Sequence, residues 1–341
     1  MSRARRHVTR ALLLASAALP GLSASAAAPA TSPARFEPEI PAFEAADTRS
    51  LPAPGGFART TPAPDDPCRD LRQARSLIRA GDLPSAQRSL EACVGAAPQS
   101  AEGWLTLGVV HFAERHFDQA AAALETSLEL DATQPQAFKM LGRAHTARSK
   151  PALAERAFAE AGRLAPRDAE PRYLLGRLYQ SEGRLVEAAR FLKGAVVLDP
   201  SSARAHAFLG SVSFGLGDDS LARESFLRAV SLNQASPAPD AIPHLEYGIY
   251  LQRANRLEES VVELRRAAQL DASSVDARFE LGQSLHRLRR LKEANEALRE
   301  ALNLDGTEVR VHYLLGRVCY EQGDRGCGDE HMRLSERQRG R

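Results

Sequence analysis

Four cysteines and nine histidines are the residues of this chain best suited to chemistry. The cysteines fall in two local pairs, Cys68 with Cys93 and Cys319 with Cys327. An even count in local pairs suits two disulfides in an exported chain; four buried thiols are the alternative in a reducing compartment. No Cys-x-x-Cys and no clustered histidine accompanies them, so no metal site is expected on the cysteines. The histidines recur at fixed places: His111 and His145 share one, and His206, His244 and His312 share another. Recurrence of that kind is the mark of a packing position rather than of a ligand or a base. The chain has no glycine-rich phosphate loop, no His-Glu-x-x-His and no Gly-x-Ser-x-Gly. Carboxylates are abundant but fall on expected exposed faces. Neither catalysis nor a cofactor is expected.

The places those residues occupy belong to a repeat. Gly108, Gly142, Gly176, Gly210, Gly248, Gly282 and Gly316 are separated by 34, 34, 34, 38, 34 and 34 residues. A fixed period of this length marks a solenoid. Within a period, apolar residues fall in two blocks at helical spacing: Trp104, Leu107, Val110 and His111, then Ala120, Leu124, Leu128 and Leu130. Gly81, Gly183, Gly217, Asn255 and Gly323 separate the blocks and accept the left-handed conformation that ends a helix. Arg115, Ser149 and Arg289 hold that place elsewhere, where the turn is expected to be less well specified. Small pairs such as Gly108 with Ala120 would let the two helices approach closely. Units close on Leu130-Asp131, Leu164-Ala165-Pro166, Leu198-Asp199-Pro200 and their equivalents, where proline or a small polar residue stops the helix.

These residues resemble the tetratricopeptide repeat, and Phe138, Leu141, Gly142, Ala154, Phe158 and Pro166 show the match in one unit. The resemblance covers 67–341 in eight units: 67–100, 101–134, 135–168, 169–202, 203–236, 241–274, 275–308 and 309–341. It implies an all-α, right-handed solenoid of helical hairpins whose first helices line a concave groove. Carried over position by position, it assigns to the groove Phe112, Lys139, Arg143, Tyr173, Arg177, Arg204 and Phe208, with Leu105, Val109, Gln136 and Phe214 beside them. That is a basic stripe interleaved with aromatics. Arginine and lysine can hold a carboxylate or phosphate, and aromatics supply contact area; arginines on an exposed helix can equally serve solubility alone. As surface residues, they should be replaceable with little effect on folding. Arg143 stands where a carboxylate-clamping member of the family would have asparagine. Glu246, Asp276 and Glu280 bring acid to the same face further along, with Gln252, Gln283 and His286.

In this frame Cys68 and Cys93 stand at neighbouring ends of the first hairpin, and Cys319 and Cys327 flank the turn of the last. Disulfides there would pin the two units that lack a neighbour on one side. The four extra residues 237–240, flanked by Pro237, Pro239 and Pro243, are expected to interrupt the stacking register as a bend, a hinge or a long turn.

Residues 1–26 read as a cleaved export signal. Arg3, Arg5, Arg6 and Arg10 precede the nine-residue apolar run Ala11–Leu19, and Ala24-Ser25-Ala26 offers a cleavage site. Nine apolar residues are too few to span a bilayer, which takes about 20. Residues 27–66 hold eight of the twenty prolines and are expected to be a disordered linker. Losing the four arginines takes the formal charge from +2 to −2, which argues against nucleic acid as a partner. The sequence thus describes a periplasmic or secreted scaffold that binds a protein or peptide segment in its groove. An assembly or carrier factor for envelope, pilus or polymer-export machinery is the alternative. Partner, pathway and oligomeric state are not encoded in readable form.

Overall fold

The structure, a computed structural model, describes residues 71–339. The proposed signal (1–26), the linker (27–66) and Cys68 lie outside the described residues. Sixteen helices and no strand occur among the described residues. They form eight antiparallel hairpins: α1 (Leu71–Arg79) with α2 (Leu83–Ala96), α3 (Ala101–Ala113) with α4 (Phe117–Leu130), α5 (Pro135–Ala147) with α6 (Pro151–Leu164), and α7 (Glu170–Ser181) with α8 (Leu185–Leu198). There follow α9 (Ala203–Gly215) with α10 (Asp219–Gln234), α11 (Ala241–Arg253) with α12 (Leu257–Leu270), α13 (Val275–Arg287) with α14 (Leu291–Leu304), and α15 (Val309–Glu321) with α16 (Arg325–Arg339). No helix among the described residues is long and apolar enough to cross a membrane.

Local chemistry sets the helix boundaries. Ser100, Ser202 and Ser274 occupy one repeat place and cap α3, α9 and α13, each accepting a backbone N–H three residues on. After the Leu-Asp endings, Asp131, Asp199, Asp271 and Asp305 each accept the backbone N–H two residues ahead, so aspartate shapes the link between units. The turn inside each hairpin is more uniform than its sequence. Arg115, Ser149 and Arg289 take φ of 63°, 56° and 61°, the same left-handed turn that the glycines make.

The glycine register reflects the close helix approach that the small pairs suggest, and a second cause beside it. A Cβ on Gly108 would lie 2.6 Å from Leu124 Cγ and 3.3 Å from the Ala120 carbonyl. The large side chain one turn beyond the small residue is therefore what glycine admits; at Gly142 the Phe158 ring takes that space. Leu124 and Phe158 are fully buried as a result, which offsets the ~1 kcal/mol that glycine costs in a helix.

Each hairpin rests chiefly on the second helix of the one before, but the joint after α10 differs. There α11 leans mainly on α9. The insertion is tied down: Asn233 Nδ2 donates to the Asp240 carbonyl at 2.7 Å, the Asp240 N–H donates to Asn233 Oδ1 at 2.8 Å, and Asp240 caps α11. The register does change here, across a pinned corner.

Candidate functional site

First helices approach one another along the stack, as α3 does α5 and α13 does α15, whereas successive second helices do not to that degree. The first helices therefore form the inner side of the curve. The candidate groove residues all sit on them, in three different settings.

Lys139 and Arg143, one turn apart on α5, are each only 8% exposed. Lys139 Nζ lies 3.0 Å from Asp168 Oδ2 and 2.5 Å from Glu170 Oε2, and Arg143 Nη2 lies 2.7 Å from Glu170 Oε1. Asp168 also accepts the Glu170 N–H at 2.9 Å, which fixes both carboxylates at the start of α7. Burial pulls the Lys139 ammonium down, but Glu170 and Asp168 outweigh it and hold its pKa above the usual lysine value. The expectation that these are replaceable surface residues is thus corrected: Glu170 of the next unit and Asp168 in the link before it supply their anions. Spacing could not reveal this, because Asp168 stands in the link before α7 and Glu170 opens α7, and they reach α5 only when the hairpins stack.

Tyr173, Arg177 and Phe208 form the second setting. The rings of Tyr173 on α7 and Phe208 on α9 meet edge to face, 5.7 Å apart. The Arg177 guanidinium lies 4.7 Å from the Phe208 ring centre and 5.7 Å from that of Tyr173. Arg204 pairs with Asp240 across the pinned corner. Phe112 belongs elsewhere: it is 1% exposed and packs edge to face on Phe117 inside its own hairpin. Its inner-helix position was legible, but its burial in a core shared with Met140 and Leu141 of the next hairpin was not.

The third setting is acidic. Glu246 and Glu280, on α11 and α13, are half-buried on the inner face, and desolvation raises the pKa of both. Desolvation pushes Glu280 up to about 6, against a lowering hydrogen bond from Gln252. Gln252 Nε2 is shared between Glu280 Oε2 at 3.3 Å and Ser284 Oγ at 3.0 Å. Asp276 is held by Arg310 at 2.8 Å. At Glu246 a hydrogen bond with Ser211 and the positive charges of Arg177 and Arg253 oppose the rise without cancelling it.

Of the recurring histidines, His111, His145, His244 and His312 are buried, as packing positions would be, and His206 is half-buried. Cys319 and Cys327 are joined by a disulfide, with Cα atoms 5.8 Å apart, and Cys93 is disulfide-bonded.

Comparison with known proteins settles the family. One tetratricopeptide repeat model matches residues 71–136 and 245–309, and a second matches 145–237, together more than half of the chain. The chain belongs to the tetratricopeptide repeat family. Peroxisome biogenesis protein 5 of Arabidopsis thaliana is 32% identical over a segment covering 32% of this chain and 19% of that protein. Anaphase-promoting complex subunit 3 of Schizosaccharomyces pombe is 23% identical, covering 54% of this chain and 27% of its own. This tetratricopeptide repeat chain thus spans about a fifth to a quarter of the length of those curated relatives. The crystal structure of the APC/C hetero-tetramer Cut9–Hcn1 superposes with a TM-score of 0.62 at 19% identity, over 72% of this chain and 48% of that one, a likeness of fold.

Proposed function

We propose that this tetratricopeptide repeat chain is a non-catalytic scaffold that works outside the cytoplasm and holds an extended or helical segment of an envelope protein along its inner face. The observation that carries the reading is the aromatic platform of Tyr173, Phe208 and Arg177 on the inner helices, with the desolvated carboxylates Glu246 and Glu280 on the inner helices that follow. A segment with an apolar side chain beside a lysine or arginine matches that order. The apolar group rests on the rings, and the cation restores to Glu246 and Glu280 the stabilisation they lost on desolvation. Lys139 and Arg143 shape the floor of the groove, because Glu170 already occupies them. Family membership supports a binding role, as does a curated relative named as a subunit of a multi-protein complex. The arginine-rich start and the Ala24-Ser25-Ala26 site support the location.

Site-specific photo-crosslinking in the extracytoplasmic fraction tests it. A crosslinker at Gln283, on an inner helix, should capture a defined partner, and one at the exposed Val262, on α12, should not. With that partner purified, Arg177→Ala with Glu280→Gln should weaken binding at least tenfold, about 1.4 kcal/mol. Equal capture from both helices, or unchanged affinity in the double variant, would overturn the groove reading.

A further inference from the structure

The turn between α3 and α4 gathers three ligating side chains that the groove does not use. His111 sits in the last turn of α3, 7% exposed, and its Nδ1 has no hydrogen-bond partner. Its repeat equivalent differs, since His145 Nδ1 lies 3.5 Å from Arg148 Nη1. The left-handed Arg115 reverses the chain, and the His116 N–H donates to the His111 carbonyl at 2.8 Å. That reversal brings the two imidazole rings to 6.3 Å, centre to centre. Between them in sequence, Glu114 places Oε2 3.6 Å from His116 Nδ1. This oxygen is buried and accepts no hydrogen bond. One donor atom from each of the three residues lies within 4.8 Å of the other two.

We propose that His111, Glu114 and His116 bind a divalent transition-metal ion, zinc being the best fit. Zinc takes imidazole nitrogen and carboxylate oxygen at about 2.0–2.2 Å, so two ligands of one tetrahedral ion stand roughly 3.4 Å apart. Glu114 and His116 already have that spacing. His111 is the fixed wall, and the half-exposed His116 can close the remaining gap by turning about its side-chain bonds. Two imidazoles favour zinc, copper or nickel over calcium or magnesium, which take oxygen ligands. A cation held through Glu114 Oε2 would satisfy that buried, unpartnered oxygen, and one held through His111 Nδ1 would satisfy that nitrogen as well.

The surrounding charges permit this. Glu91 on α2 adds negative potential at His111, and the carbonyl end of α3 points the same way. Of the cations around the opening, Arg148 is paired with Asp118 at 2.7 Å and Arg115 lies over the Phe117 ring; Lys150 lines the rim. The repeat itself does not demand the trio. The same three places hold His145, Arg148 and Lys150 in the next unit, then Tyr179, Glu182 and Arg184. Three protein ligands leave one tetrahedral position, on the His116 side, for water or a side chain of a bound protein.

Calorimetric titration of the metal-free full chain with zinc chloride tests the site, with cobalt(II) absorption as a report of tetrahedral geometry. One zinc per chain is expected. His116→Ala and Glu114→Gln should each weaken binding at least about tenfold while leaving the helical circular dichroism unchanged. His331→Gln is the control, because His312 and His331 face each other through Nδ1 atoms 3.0 Å apart and are the competing imidazole pair. That variant should bind zinc as wild type does. Absence of saturable zinc binding, wild-type affinity in His116→Ala, or loss confined to His331→Gln would each overturn the assignment.

Discussion

Replacing Glu170 with alanine tests the central correction, that Lys139 and Arg143 are parts of the fold before they are parts of any binding surface. The substitution removes the carboxylate that contacts both cations, at 2.5 Å and 2.7 Å. Breaking a fully buried ion pair by deleting one partner costs about 3–5 kcal/mol. Here two features reduce the cost. Glu170 is 37% exposed, so solvent screens part of its charge, and Asp168 stays with Lys139 at 3.0 Å. A loss of about 1.5–3 kcal/mol, the range for hydrogen bonds to charged groups, is therefore expected. For a domain of this size that lowers the melting temperature by roughly 5 °C. Because each unit of a solenoid leans mainly on its neighbours, the loosening should be local. Amide hydrogen exchange should rise in α5 to α8 and stay unchanged in α13 to α16. Glu170→Gln, which keeps an acceptor without the charge, should fall between. The exposed pair Glu160–Arg163 supplies the comparison, and Glu160→Ala should stay within about 0.5 kcal/mol of wild type. If Glu170→Ala melts and exchanges like Glu160→Ala, the buried ion cluster does not hold these hairpins together, and the surface reading of Lys139 and Arg143 returns.

The raised pKa of Glu280, about 6, means that folding favours its protonated form, so its ionisation destabilises the fold as pH rises through roughly 4.5 to 6. Glu280→Gln should therefore melt higher than wild type at pH 7.5, with the gap closing by pH 4.5; a gap independent of pH refutes the assignment. Removing the 319–327 cross-link with Cys319→Ser and Cys327→Ser should destabilise the last hairpin by about 2.6 kcal/mol on the chain-entropy model. Faster hydrogen exchange in α16 is the readout, and unchanged exchange there counts against a stabilising role. The mature chain should begin at or near Ala27, and intact mass and N-terminal sequencing of the extracytoplasmic protein decide this; a cytosolic chain that keeps Met1 or Ser2 refutes export. In that exported protein, non-reduced peptide mapping should find no alkylatable thiol at Cys319 or Cys327; free thiols there would show the pair reduced.

The sequence by itself determined the architecture, because a solenoid is written locally. The 34-residue period of the glycines, two apolar blocks per period and the Leu-Asp endings fix helix, turn and hairpin within one unit, and short-range contacts carry most of that information. The turn residues Arg115, Ser149 and Arg289 were legible as positions but not as conformations. The left-handed turn forms there without glycine, closed by the N–H of His116, Lys150 and Arg290 on the carbonyls of His111, His145 and Leu285. What only the tertiary structure decided lies partly between units and partly in the conformation of a turn. Nothing local in the Asp168–Glu170 link says that its carboxylates will neutralise Lys139 and Arg143 some thirty residues away. Nor does the sequence around Phe112 separate a groove residue from a core one. His111 and His116 are five residues apart, yet their convergence on Glu114 depends on the left-handed Arg115. Charge and burial at Lys139 and Arg143 follow from how stacked hairpins juxtapose side chains, and stacking brings together residues whose separation in sequence carries no signal of contact.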